Sequence, residues 1–200
     1  MVRMKVYDIS RELFSADVYP GDPAPYAESI RRIDVGDEYN LSAFFTGSHS
    51  ATHLDAPRHF VEDGTTIDRM PLETFVGPCT VVTVEGLVTG AQVENLLPRC
   101  RGRILFRGGG EAYLERSAAF VLADSGVVLV GTDALSIAAC QDESAVHREL
   151  LGAGIPILEG LDFTGVEDGD YMLAALPLKL RGLEASPCRA VLIRSRAAPE

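Results

Sequence analysis

Three of the four histidines in this chain lie close together, in the segment His49-Ser-Ala-Thr-His53-Leu-Asp55-Ala-Pro57-Arg-His59. Imidazole nitrogens and carboxylate oxygens are ligands that suit zinc and manganese. His49 and His53 are four residues apart, so they share one face if the chain makes a helical turn there. Asp55 must then leave that turn, because Pro57 forces the residue before it into an extended conformation. The clustering predicts a metal site, in preference to a chance group of surface histidines or a single structural metal clip.

Two further residues could reach the same ion, although each also has an ordinary explanation. His147, the fourth histidine, lies inside a predicted helix over 142–151, where it could sit on the helix flank without a function. Glu159 ends an apolar strand, and a carboxylate there needs a partner that offsets its desolvation. Taken together, His147 and Glu159 form a second predicted ligand pair. Asp133 also follows a buried strand, but a role in capping the next turn explains it at least as well.

Other catalytic motifs find little support in the sequence. The three glycines at 108–110 lack the Lys-Ser/Thr pair that completes a phosphate-binding loop, so we interpret them as a turn. No Gly-x-Ser-x-Gly elbow is present, which disfavours nucleophilic catalysis. The cysteines form no Cys-x-x-Cys pair, and we predict buried free thiols at Cys79, Cys100, Cys140 and Cys188.

Composition places the chain among ordinary globular proteins. Its 200 residues, of which 46% are hydrophobic and 24% charged, predict one domain over residues 1–200. The net charge of −11 argues against nucleic acid and against anionic membrane surfaces as partners. No apolar run approaches the length of a membrane span, and an acid follows the first few residues too early for a signal peptide. We therefore expect a cytoplasmic protein.

The elements that must position these residues are mostly short and β-rich. Several apolar runs are continuous, as in Val127-Val-Leu-Val130, which predicts strands that are covered on both faces. The N-terminal third is predicted to be irregular, and Phe44, Phe45 and Phe60 beside the histidines are expected in the core. Interleaved strands and helices predict an α/β fold with a mixed, mostly buried sheet. We predict strands over 80–88, 103–106, 119–122, 127–130, 155–158, 171–176 and 190–194, and helices over 91–97 and 142–151.

The histidine segment resembles the His-x-Gly-Thr-His-x-Asp-x-Pro-x-His signature of the cyclase-like metal-dependent hydrolases, the family of the bacterial kynurenine formamidases. The likeness extends over most of the chain, and the histidine signature is its most specific part. The other similar segments are Tyr19-Pro-Gly-Asp22, Asp63-Gly64 with Ile67-Asp68, Gly131-Thr-Asp133 with Ser136, Gly154-Ile-Pro-Ile-Leu-Glu159, Leu176-Pro-Leu-Lys-Leu180 and Ala185-Ser-Pro-Cys-Arg-Ala-Val-Leu192.

The resemblance implies a site with two metal ions and a role for each residue around it. The implied cofactor is two zinc ions per chain, with manganese as the alternative. The resemblance also implies a swivelling β/β/α architecture and a homodimer or homotetramer. Carried over residue by residue, His49, His53 and Asp55 hold the first ion, Asp55 bridges to a second ion on His147 and Glu159, His59 transfers protons, and Tyr19 lines the substrate pocket.

Three positions depart from the family pattern. Ala51 replaces the motif glycine, so we expect the turn to avoid a conformation that only glycine tolerates. Gly160 stands where the formamidases usually have asparagine, and Tyr19 replaces a tryptophan. The predicted ligands are intact, so these changes affect the pocket rather than the metal site.

The residues and the resemblance together predict an enzyme that hydrolyses a small aryl amide. A bound divalent ion lowers the pKa of water towards about 7, and His59 has a suitable pKa for moving the proton. The leading substrate is N-formylkynurenine, which would give kynurenine and formate. Another aryl or cyclic amide, such as isatin, is the alternative. A metal-binding protein without turnover and a purely structural zinc site are less favoured, because every expected catalytic residue is present and the motif has no cysteine.

Overall fold

A nine-stranded mixed sheet forms the centre of the fold, which a computed structural model describes over residues 3–196. Across this sheet the strands follow the order β1-β11-β9-β5-β6-β7-β8-β4-β10, while β2 and β3 form a separate hairpin. The strands described are β1 (Arg3–Asp8), β2 (Tyr26–Arg31), β3 (Leu41–Phe45), β4 (His53–Asp55), β5 (Val76–Thr83), β6 (Arg103–Arg107), β7 (Leu129–Thr132), β8 (Ile157–Glu159), β9 (Gly169–Ala174), β10 (Ala185–Pro187) and β11 (Val191–Arg196).

Strands β5 to β8 are parallel because a helix connects each of them to the next. These helices are α1 (Gly90–Leu96), α2 (Arg116–Ala123) and α3 (Glu143–Gly152). Helix α1 begins with a capping box, in which Thr89 and Gln92 each bond the backbone N–H of the other. All other neighbouring strands in the sheet are antiparallel. The predicted α/β class with a mixed, buried sheet is confirmed.

Strands β6, β7 and β8 are buried on both faces of the sheet, and their residues alternate between two apolar cores. On β6, Ile104 and Phe106 pack with the helices, whereas Leu105 between them belongs to the core on the other face. That second core takes Leu54 from β4 near one edge and Leu192 from β11 near the other. Because residues near opposite edges meet in one core, the sheet must curl around it. The continuous apolar runs follow from this double burial.

The hairpin of β2 and β3 extends away from both cores, and each of its strand residues is exposed. Tyr26 and Phe45 stack across it with ring centroids 5.6 Å apart. The prediction of an irregular N-terminal third is therefore wrong, since β1, β2 and β3 all lie there. The expectation that Phe44 and Phe45 are core residues is also wrong, because their exposures are 61% and 45%.

Most predicted elements are present with bounds shifted by a few residues, but one changes type. The predicted strand over 119–122 is part of helix α2, because Ala118, Ala119 and Leu122 form one buried helical face. A short apolar run cannot distinguish these two states by itself. The prediction of buried thiols holds for Cys79 and fails for Cys140, which is exposed; all four cysteines are free.

Residues 3–196 include no helix that is both long enough and apolar enough to cross a membrane. The single domain over residues 1–200 stays a prediction.

Candidate metal centre

Two strands, one helix and the turn before β4 bring the predicted ligands together. Strand β4 carries His53 and Asp55 on the same face, since alternate residues of a strand point the same way. Strand β8 places Glu159 directly opposite His53 in the antiparallel register. Helix α3 contributes His147, which is buried on the side of the helix that meets the sheet. His49 lies in the turn before β4.

Short distances between nitrogen and oxygen atoms connect these side chains. The Nε2 atom of His53 lies 3.4 Å from Glu159 Oε2 and 3.5 Å from Asp55 Oδ1. The Nε2 atom of His147 lies 3.4 Å from Glu159 Oε1 and 3.7 Å from Asp55 Oδ2. His49 Nδ1 approaches Asp55 Oδ1 to 2.9 Å. Two imidazoles and two carboxylates, all of them buried, thus converge on a single centre.

The donor set and its unpartnered atoms fit a divalent cation. The Nδ1 atoms of His53 and His147 lie 3.0 and 2.8 Å from backbone carbonyls, which can only accept a hydrogen bond. In a neutral ring this leaves a lone pair on Nε2, and both lone pairs then face carboxylate oxygens. Within residues 3–196, His53 Nε2 and both oxygens of Asp55 are buried without a hydrogen-bond partner. A cation between these groups would satisfy all of them.

Among the described residues, the ligand atoms that could hold an ion form two groups, which have one residue in common. The first group is His49, Asp55 and His59, and the second is His53, Asp55 and Glu159. In each group the ligand atoms lie within 4.8 Å of one another. Asp55 belongs to both groups, so its two oxygens could serve two ions. His59 was predicted to move protons rather than to bind metal, and its position allows either role.

The carboxylates and imidazoles of the centre shift one another's pKa values. Burial lowers the pKa of His53 and His147, but the nearby Glu159 and Asp55 outweigh it and raise both to about 9. Burial raises the pKa of Asp55, but the surrounding histidines outweigh it and hold that pKa below its usual range. His59 differs, because burial lowers its pKa and the neighbouring His49 and His147 add to this effect. His59 is therefore neutral near pH 7.

A cleft of about 200 Å³ opens onto the centre. His59 and Phe60 form one wall, with their ring centroids 4.5 Å apart. Phe60, which was expected in the core, is partly buried against the core on the helix side of the sheet and also borders the cleft, with its ring centroid 4.7 Å from that of His147. Tyr19 borders the cleft as predicted, although its substrate role remains a proposal. The lining residues are Tyr19, Asp22, His49, His53, His59, Phe60, Leu135, Ser136, Glu143, His147 and Glu159.

Two acidic residues near the centre escaped the sequence analysis. Glu184 Oε1 lies 3.4 Å from His49 Nε2 and accepts a hydrogen bond from Ser48. Glu184 stands immediately before β10, which pairs with β4, and this position is what could have indicated that it lies near the metal centre. Glu143 borders the cleft one helical turn before His147, and that spacing was the signal for it.

Asp133 does not border the cleft that opens onto the metal centre. Its carboxylate accepts hydrogen bonds from the backbone N–H groups of Gly108 and Gly109. This agrees with the view that Asp133 fixes a turn and that the glycines at 108–110 form one.

The backbone conformation bears on two of the departures from the family pattern, Ala51 and Gly160. The expectation that the turn avoids a left-handed conformation is wrong, because Ala51 has a φ of 54°. Alanine tolerates this region at a cost of about 1–2 kcal/mol. Gly160 has a φ of 67°, and a Cβ atom there would lie 2.3 Å from the Ala51 carbonyl oxygen. Glycine at 160 is thus required by the close approach of the turn that precedes β4.

Comparison with known proteins agrees with this geometry. The family model described as "Putative cyclase" matches residues 7–139. A curated kynurenine formamidase from Salinibacter ruber is 36% identical over 214 residues, covering 98% of this chain and 100% of the relative. A solved structure described as a potential metal-dependent hydrolase with cyclase activity is 32% identical, with a TM-score of 0.84 and coverage of 98% and 100%. An isatin hydrolase bound to the product analogue thioisatinate shares the fold, with a TM-score of 0.83, 17% identity and coverage of 96% and 93%. The chain belongs to the cyclase family.

Proposed function

We propose that this protein is a metal-dependent amide hydrolase that cleaves N-formylkynurenine to kynurenine and formate. The observation that carries the proposal is Asp55, a fully buried carboxylate whose oxygens have no hydrogen-bond partner among the described residues and face histidines on two sides. The curated formamidase from Salinibacter ruber supports the choice of reaction, since its similarity extends over the whole of both chains.

His49, His53, Asp55, His147 and Glu159 would hold the metal. When bound, a divalent ion supplies a Lewis acid that activates water and polarises a carbonyl group. We propose two zinc ions per chain, with manganese as the alternative, because two groups of ligand atoms share Asp55. Imidazole and carboxylate ligands suit both metals. Metal analysis of protein purified without chelator gives the identity and number of the ions.

The side chains around the cleft would bind the substrate and move its protons. His59 is neutral near pH 7, so its ring can accept a proton from water and return it to the leaving nitrogen. Tyr19 and Phe60 offer aromatic faces for an aryl substrate on the borders of the cleft. Buried Glu159 also accepts a hydrogen bond from the backbone N–H of Ile137, which fixes its carboxylate.

A hydrolase of cyclic aryl amides is the second candidate. The isatin hydrolase shares the fold at 17% identity, and the tyrosine at position 19 is where the cleft departs from the formamidase pattern. A lactam needs the same attack on a carbonyl carbon, but its leaving nitrogen stays attached to the product. The two candidates therefore differ in substrate shape and not in the chemistry of the centre.

A turnover assay with metal-reconstituted protein tests both candidates. The panel contains N-formylkynurenine, a simple aryl formamide and isatin, each measured with zinc and with manganese. We expect turnover of the formamides, loss of metal and activity in His49→Ala/His53→Ala, and no change in the exposed control Glu62→Ala. Turnover of isatin alone would replace the formamidase assignment with the second candidate. No turnover of any amide by the metal-loaded protein would favour a binding protein without catalysis.

We also propose a homodimer or homotetramer that acts in the cytoplasm on a small molecule. The exposed apolar residues of the β2–β3 hairpin support self-association, because an isolated two-stranded hairpin is only marginally stable in water. The cytoplasmic location is tested by cell fractionation.

A further inference from the structure

The segment over residues 13–25, which carries Tyr19, is held beside the cleft by few contacts. It contains no helix or strand, and Asp22 N–H donates a hydrogen bond to the Tyr19 carbonyl within the segment itself. At its start, the backbone N–H groups of Phe14, Ser15 and Ala16 donate hydrogen bonds to the adjacent Glu12. The link to a distant part of the described chain comes from the Tyr19 hydroxyl group, which donates a hydrogen bond to Glu143 Oε2 at 3.0 Å. Phe14 also contacts Phe44, with ring centroids 6.4 Å apart, so the Tyr19–Glu143 bond is the polar contact that ties this segment to helix α3 beside the cleft.

Glu143 is well placed to anchor that bond. It is the first residue of helix α3, whose backbone is fixed by packing against the sheet, and it borders the same cleft as Tyr19. Ser136 Oγ lies 3.4 Å from the other carboxylate oxygen of Glu143, which helps to orient the group. Burial and the adjacent Glu143 raise the pKa of the Tyr19 phenol, so the hydroxyl group remains a hydrogen-bond donor at neutral pH.

We propose that Glu143 is a positioning residue, whose carboxylate holds the Tyr19 ring against the cleft and thereby sets the affinity for aryl substrates. The backbone carbonyl of Glu143 bonds to His147 Nδ1, so one residue anchors both a wall of the cleft and a proposed metal ligand. Only the carboxylate is changed by substitution, and the carbonyl remains. The inference about affinity rests on the proposed function, whereas the inference about the anchored segment does not.

Amide hydrogen exchange tests the anchor without any need for turnover. In Glu143→Ala and in Tyr19→Phe we expect the amides between residues 13 and 25 to exchange about tenfold faster than in the wild type. Glu143→Gln keeps a carbonyl oxygen that can accept from the Tyr19 hydroxyl, so it should restore most of the protection. Glu149→Ala, on the same helix but outside the cleft, is the matched control. Unchanged exchange in Glu143→Ala would overturn the proposal.

Kinetics and metal binding then test the role in substrate affinity. We expect KM for an aryl formamide to rise about threefold to tenfold in Glu143→Ala and in Tyr19→Phe, with kcat changing less. The double variant should behave like either single variant, because both remove one bond. Multiplied effects, or a loss of metal in Glu143→Ala, would contradict the proposal. If the wild type hydrolyses no amide, the proposed function is wrong, and the exchange measurement still decides whether Glu143 anchors the segment.

Discussion

At the scale of single residues, the candidate site depends on Asp55, whose oxygens face a histidine on either side. A buried carboxylate without partners would destabilise the fold by several kcal/mol, unless a cation or protonated histidines compensate it. In the metal-free chain protonated histidines compensate the charge of Asp55, because the pKa values of His53 and His147 are raised. Protons and metal ions therefore compete for the same centre.

This competition makes metal affinity dependent on pH. Below about pH 9, His53 and His147 carry protons in the metal-free protein and must release them to bind an ion. We expect the apparent affinity to fall with decreasing pH, by up to about 100-fold per unit when two protons are released. Chelator competition at pH 7 and pH 8, with calorimetry in two buffers to count protons, measures this. An affinity that is the same at both values would show that these rings do not bind the ion.

His59 is expected to act on the substrate rather than on the metal. We expect His59→Ala to keep the metal content of the wild type and to lower turnover by about 10²-fold or more, since it removes proton transfer. Metal analysis and kcat measured on the same preparation check this. His49→Ala, which removes the ring 2.9 Å from Asp55, is the comparison that should lose metal. Loss of metal in His59→Ala would instead make His59 a ligand, as its place beside His49 and Asp55 allows.

At the scale of elements, the contact between the turn at Ala51 and the end of β8 sets how closely β4 can approach Glu159. Thr52 adds to this contact, because its hydroxyl group donates to the Gly160 carbonyl at 2.6 Å. A side chain at position 160 would separate the turn from the strand end. The geometry of the metal centre thus depends on two small residues that bind nothing.

Alanine substitution at two glycines separates the steric effect of a side chain at position 160 from the strain of a positive φ. We expect Gly160→Ala to lower the free energy of unfolding by about 2 kcal/mol or more, because it adds a clash to the positive φ. Gly165→Ala has a similar positive φ and open space around it, so it should cost only about 1 kcal/mol. Urea unfolding of both variants gives the comparison, and equal losses would show that the contact with Ala51 is unimportant. Ala51→Gly should stabilise the protein by up to about 1 kcal/mol.

The sequence allowed prediction of elements wherever the core imposes a pattern. Helix α3 is predicted within one residue at each end, because its buried positions repeat with helical spacing and Gly152 ends it. The run over 119–122 was assigned to a strand, because four apolar residues fit either state until their packing partners are known. Strands β2 and β3 were missed because they face solvent and carry no alternation of apolar and polar residues.

The candidate site was predicted more completely than the elements around it. His49, His53 and Asp55 could be identified from the sequence, because histidine and aspartate are common metal ligands and the three residues lie close together in one segment. Glu143 and Glu184 were missed because their significance comes only from neighbours distant in the chain, Tyr19 and His49 respectively. Contacts between residues so far apart in the chain cannot be predicted from a local sequence pattern, unless the residues belong to a known motif.

At the scale of the whole molecule, the β2–β3 hairpin is the most exposed apolar feature. Ile30, Ile33, Val35 and Phe44 are all more than half exposed, which is unusual for a monomer. The end of the hairpin at Phe45 precedes His49 by four residues, so an interface there would also steady the first part of the metal centre. We therefore expect the proposed self-association to stabilise the site.

Charge introduced into the hairpin tests the proposed self-association. We expect Ile30→Lys/Phe44→Lys to shift the protein from a dimer or tetramer towards the monomer, because lysine is costly to bury in an apolar interface. Light scattering after size-exclusion chromatography gives the mass, and circular dichroism confirms that the fold is retained. Phe120→Lys, an equally exposed site on helix α2, is the control. A wild-type monomer, or an unchanged mass in the double variant, would contradict the proposed interface.

The pairing of β4 with two strands from late in the chain has a consequence for the order of folding. This strand holds two proposed ligands, yet its hydrogen-bonding neighbours are residues 157–159 on one side and 185–187 on the other. A growing chain has neither neighbour until most of it has been synthesised, and pairing over such separations is slow. The unfolded chain likewise offers no preformed site. We therefore expect metal loading to follow folding, so that the bound ion stabilises the completed protein by mass action instead of serving as its nucleus.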